Sequence, residues 1–129
     1  MSDSLRYKDW IDKARRDLHA ARILYENQAD EEFVAFHCQQ SVEKALKSYI
    51  IKKQHRLLES HSLIFLCRQA VKHNEAFRDY LHECAFLNQF YIETRYPADV
   101  PQEVTRGQAE QCLAQSEQIL DFILPQLGA

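Results

Sequence analysis

Four residues, Asn27 to Asp30, separate two helical patterns that each run for more than twenty residues. The first reaches about Glu26 from a cap at Ser2 or Ser4, with Trp10, Ala14, Leu18, Ala21 and Leu24 at three- and four-residue steps. The second runs from about Glu31 to Gln54. A connection this short forces two long helices to fold back antiparallel as an αα-hairpin. Asp17 falls inside the apolar stripe of the first helix, so its carboxylate requires a partner: an Arg, a Lys or a backbone donor from another helix.

The rest of the chain continues the pattern. After a connection from His55 to Ser60, a third, shorter helix is expected from about Ser62 to His73, with Leu63, Leu66, Cys67 and Ala70 inward, and Asn74 breaks it. The fourth pattern, Glu75 to Thr94, is the most aromatic: Phe77, Tyr80, Leu81, Cys84, Leu87 and Tyr91 make one stripe, Phe86 and Phe90 a second. That two-sidedness predicts a central helix. Pro97 forces Tyr96 out of helical geometry, so this helix stops near Arg95. Ala98 to Val104 reads as an extended crossing, and Thr105 with Gln108 makes a capping-box signature for a last helix from about Arg106 to Leu124, ended by Pro125 and Gly128. The expected fold is an all-α, up-and-down bundle of about five helices in one domain over residues 1–129.

Composition narrows the setting. The four cysteines, at positions 38, 67, 84 and 112, form no Cys-x-x-Cys pair and lie in helical patterns, which predicts reduced, buried thiols in a reducing compartment. The amino terminus lacks an apolar signal core, and the longest uncharged apolar run, Leu63 to Cys67, is far too short to span a bilayer. A cytoplasmic protein without membrane contact is expected. The net charge of −3 excludes a chain that is basic all over. Residues 44–56 nevertheless carry Lys44, Lys47, Lys52, Lys53 and Arg56 with no acid among them, which suits either a solvated helix C-terminus or a phosphate-binding patch. Fourteen aromatic residues and several two-sided apolar helices exceed what one small bundle covers, which predicts a homodimer.

Most catalytic chemistries are missing. There is no Gly-rich loop for phosphates, no His-Glu-x-x-His, and no Glu followed three residues later by His, so neither a nucleotide cofactor fingerprint nor a di-iron bundle fits; no cofactor and no metal are expected. Cys38 neighbours His37 in sequence but points around a different side of the helix, so the two make no nucleophilic pair. Two features remain. On the second helix His37, Gln40, Ser41, Lys44 and Lys47 form a polar stripe beside the apolar one of Val34, Cys38, Val42, Ala45, Leu46, Tyr49 and Ile50. This is either a partly covered ligand surface or a set of core polar groups bonded within the bundle. The Arg95-Tyr96-Pro97 corner, with Tyr91 one turn earlier, is either a forked clamp for an oxyanion or phosphate, or a partner for Asp17 and the helix-end carbonyls. The ligand-site reading requires the stripe and the corner to face a common hollow.

These residues carry a family pattern. Trp10-x3-Ala14-x2-Asp17-Leu18-x2-Ala21, Phe36-His37-x-Gln39-Gln40-x2-Glu43-Lys44-Ala45-Leu46-Lys47, His61-x-Leu63-x2-Leu66 and Tyr91-x3-Arg95-Tyr96-Pro97 together resemble the small prokaryotic HEPN domains over nearly the full length. The resemblance implies a helical bundle that dimerises side by side and binds nucleotide or RNA phosphate. It also implies a minimal nucleotidyltransferase partner in a toxin-antitoxin-like pair. His37, Gln40, Lys44, Tyr91, Arg95 and Tyr96 would line the cleft. Many HEPN domains look like metal-independent ribonucleases with an Arg-x4-6-His motif, in which Arg holds the scissile phosphate, His moves a proton, and two copies build a composite site. The spacing occurs twice, as Arg56 to His61 and Arg68 to His73, with Arg56 in a connection and Arg68 on the third helix. Three roles are therefore open: phosphate-binding module, ribonuclease, or a non-catalytic scaffold in which the polar stripe is interior glue.

Overall fold

The structure is a computed structural model, and it describes residues 3–91 and 104–128. The long hairpin is present as expected: α1 spans Tyr7–Glu26 and α2 spans Glu31–Gln54. Asp30 caps α2 by accepting the Glu32 N–H, and Gln28 closes the turn in the left-handed region at φ 58°. Ser4 does not cap α1. Its hydroxyl instead donates to Asp9 and accepts the Arg6 N–H, and the helix begins only after Arg6. The register of the hairpin is fixed by hydroxyls: Ser41 donates to the Ala14 carbonyl at 2.7 Å and Ser48 to the Tyr7 carbonyl at 2.9 Å. Ala14 and Ala21, both fully buried, let the two backbones approach closely.

The central element is α2, where the aromatic stripes point to the fourth pattern. Fourteen of its twenty-four residues are buried, on every side, and it packs against α1, α3 (Leu63–Val71) and the last helix. Burial of each large side chain such as Leu46 or Ile50 contributes about 1.5–3 kcal/mol. The fourth pattern is not one long helix. Glu75–Tyr80 is a 3-10 turn capped by Asn74, followed by α4, Leu81–Asn88. The tighter repeat aligns Phe77 and Tyr80 on one face, and both rings reach Phe122, at 4.8 and 4.7 Å. Tertiary packing therefore overrides the helical period that the aromatic spacing suggests.

Thr105 and Gln108 form the expected capping box on α5, Arg106–Ile123, which runs into a 3-10 turn, Leu124–Leu127, closed by Gly128 at φ 72°. Lys52 pins this end, donating to the Leu127 carbonyl at 2.6 Å while its ammonium lies 4.6 Å from the Tyr7 ring. The fold is an all-α bundle of five helices, and no strand occurs among the described residues. None of the described helices is long and apolar enough to cross a membrane.

Candidate functional site

The polar residues of α2 divide between its two edges. On the edge facing α1, Asp17 accepts Lys44 Nζ at 2.6 Å and lies 3.2 Å from His37 Nδ1. Asp17 thus has the cationic partner from another helix that its position demands. With Ser41 and Ser48 donating to α1 carbonyls, most of the predicted stripe serves as a seam between the two helices.

On the other edge, Gln39, Glu43 and Lys47 lie at successive i, i+4 positions and are all buried. Lys47 Nζ donates to Glu43 Oε2 at 3.0 Å and sits 5.7 Å from the Trp10 ring centre. Both Glu43 oxygens are 3.2 Å from His61 Nδ1. Gln39 bridges the set, its amide reaching the His61 carbonyl at 3.2 Å and Glu43 at 3.4 Å, while Gln40 donates to Gln39 at 2.8 Å.

His61 is held by the connection that precedes α3. Ser60 accepts the Ser62 N–H, Ser62 caps α3 at Phe65, and Asn88 at the end of α4 accepts the Leu63 N–H at 2.7 Å. The imidazole stacks on Tyr91 with centres 4.4 Å apart and planes 14° from parallel. Its side chain remains 51% exposed, whereas that of Glu43 is 4% exposed. A buried carboxylate therefore engages Nδ1 of a half-exposed imidazole. Nε2 makes no hydrogen bond among the described residues. This arrangement fixes a ring and its tautomer for hydrogen bonding or proton transfer at the outer nitrogen.

The predicted site residues fall out as follows. His37 and Lys44 come together on Asp17, Gln40 joins the Glu43 network through Gln39, and Tyr91 joins the same network through His61. Arg95, Tyr96 and Pro97 lie outside the described residues. Among the described residues no hydrogen bond, ion pair or ring contact joins Arg56 to His61 or Arg68 to His73; both arginines are exposed, and His73 instead meets Gln54 at 2.9 Å. Glu43 is missing from the predicted site because an i, i+4 Glu-Lys pair ordinarily marks a wet helix face. The signal that could have found it is the apolar residues on every side of α2, which leave no wet face for the pair.

All four cysteines are free and buried, and burial pushes the Cys38 thiol up to about 12. Among the described residues no three His, Cys, Asp or Glu side chains converge as a metal set.

Comparison with known proteins agrees with this architecture. The crystal structure of TT1696 from Thermus thermophilus superposes with a TM-score of 0.81 at 28% identity, covering 93% of this chain and 97% of that one. The crystal structure of ST0689, an archaeal HEPN homologue, gives a TM-score of 0.75 at 29% identity, covering 95% and 98%. No curated protein matches the chain. The family model of the HEPN domain matches residues 7–126, and the chain belongs to the HEPN domain family.

Proposed function

We propose that the chain is a homodimeric, single-domain HEPN module that recognises the phosphate of a nucleotide or RNA at the His61 edge of α2, working beside a minimal nucleotidyltransferase in a toxin-antitoxin-like pair. The observation that carries the reading is the half-exposed His61 ring, held by buried Glu43 at Nδ1 and by Tyr91 on its face. With Nδ1–H directed at Glu43, the imidazolium form of His61 offers its outward Nε2–H to a phosphate oxygen, and the stacked pair of rings offers a flat apolar rim beside it. Gln40 stands next in the network. Arg95 and Tyr96 follow Tyr91 by four and five residues in the sequence and are proposed as the clamp. His37 and Lys44 are committed to Asp17 on the α1 seam and are left outside the proposed site. Titrating ATP and a short 5′-phosphorylated RNA into wild type, His61→Gln and Arg95→Ala tests this. Each substitution is expected to weaken binding about tenfold or more; equal affinity in all three proteins would remove the site.

The same Glu43–His61 pair favours a second reading, a metal-independent ribonuclease in which His61 is the acid-base group and Arg56 holds the phosphate. Cleavage of RNA in EDTA that is lost in His61→Ala and kept in His73→Ala would favour the enzyme over the binding module.

A further inference from the structure

A hollow of about 460 Å³ opens where α1 begins and α2 ends, and Arg6, Lys8, Lys52 and His55 line it without a carboxylate. Lys52 is fixed in its wall: one N–H of the ammonium goes to the Leu127 carbonyl at 2.6 Å, which leaves two to donate elsewhere. Arg6, Lys8 and His55 are exposed, and none of their side chains makes a hydrogen bond or an ion pair among the described residues.

Helix stability accounts for only part of this set. Lys52 lies in the last turn of α2 and suits its dipole, but Arg6 and Lys8 stand at the positive end of α1, where acids belong. Asp9, the acid of that turn, accepts from Ser4 and lines a separate hollow. Unpaired cations gathered against a dipole around a hollow are an arrangement that a bound anion relieves.

The hollow is joined to the His61 edge in two ways. Gln39, Glu43, Lys47, Ile51 and His55 form one i, i+4 row along α2; its first part carries the Glu43 network, and Ile51 and His55 at its end line the hollow. Glu43 and His55 lie about 18 Å apart along that row. The connection after α2 also starts at His55 and meets the same Glu43 at His61, with exposed Arg56 between the two histidines. The phosphates of one nucleotide do not bridge that length, whereas a single strand of RNA carries a phosphate at every step along it.

We propose that the hollow is a second phosphate subsite, and that the ligand of the His61 edge is a single strand of RNA several nucleotides long, laid along the connection from His61 to His55. The proposal rests on the phosphate-binding reading above.

Fluorescence anisotropy with labelled ATP and with a labelled 5′-phosphorylated RNA of about eight nucleotides tests it. The proteins are wild type, His61→Gln, the double variant Arg6→Gln with Lys8→Gln, and a control, Arg15→Gln with Arg16→Gln, which takes the same charge from residues lining the groove between α1 and α5. The side chains of Arg6 and Lys8 are exposed, so their loss leaves the fold intact. The Arg6, Lys8 variant is expected to bind the RNA about tenfold more weakly, with the slope of log Kd against log salt concentration lower by about 1.4, and to bind ATP as wild type does. The control is expected to keep RNA affinity within about twofold of wild type. Unchanged RNA affinity in the Arg6, Lys8 variant, or an equal loss in the control, would overturn the second subsite. An equal loss for ATP would overturn the strand along the connection. Wild type that binds neither ligand, or His61→Gln that binds both as wild type does, would overturn the phosphate-binding reading and the subsite with it.

Discussion

On the α1 side of α2, His37 and Lys44 converge on Asp17, and two serines donate to α1 carbonyls. On the neighbouring edge, Gln39, Lys47 and His61 converge on Glu43. Residue types and helical spacing are nearly the same on both edges, and both networks bond their charged groups. They differ in where the last group points. The Asp17 network closes between two helices, with its carboxylate shared by two partners. The Glu43 network begins with a deeply buried carboxylate and ends on an imidazole that is half in water. Polar residues on a helix thus become a seam or a site according to whether the chain of hydrogen bonds ends inside or at the surface.

Substitutions on the two edges should separate them. The largest effect belongs to Glu43→Leu, which leaves the Lys47 ammonium buried without its partner and should cost about 3–5 kcal/mol in urea denaturation. Adding Lys47→Met should recover most of that loss, because an apolar pair replaces a buried ion pair at little net cost. Asp17→Ala comes next, at about 1–2 kcal/mol, since Lys44 and His37 are 23% and 32% exposed and regain water when their partner goes. Phosphate binding should be unchanged by it. Ser41→Ala removes one buried hydroxyl from the α1 seam and should cost about 1 kcal/mol. His61→Gln should change stability least, by a few tenths of a kcal/mol, because the ring is half exposed. A Glu43→Leu protein no less stable than Asp17→Ala would erase the contrast.

Much of this is legible in the sequence, and the failures have physical causes. The hairpin, the Asp17 partner and the Thr105 capping box follow from local chemistry that tertiary structure leaves in place. The centrality of α2 is hidden because its buried face includes Gln39, Glu43 and Lys47, residue types that periodicity assigns to solvent. The break after Tyr80 is hidden because it comes from Phe122, more than forty residues away in the chain. Two chain reversals use Gln28 and His55 in the left-handed region, where sequence reasoning looks for glycine. His61 can be named as a candidate from its spacing to Arg56, but its role rests on Glu43, eighteen residues earlier and visible only once α2 and the α3 connection are packed.

The central claim is that the ligand edge of α2 is the one ending on His61. Its most direct test is nuclear magnetic resonance of the six histidine rings during titration with a short 5′-phosphorylated RNA. The account predicts that the His61 ring signals move with saturating binding while those of His37 stay in place. Movement of His37 with a silent His61 would put the ligand on the Asp17 seam and contradict it.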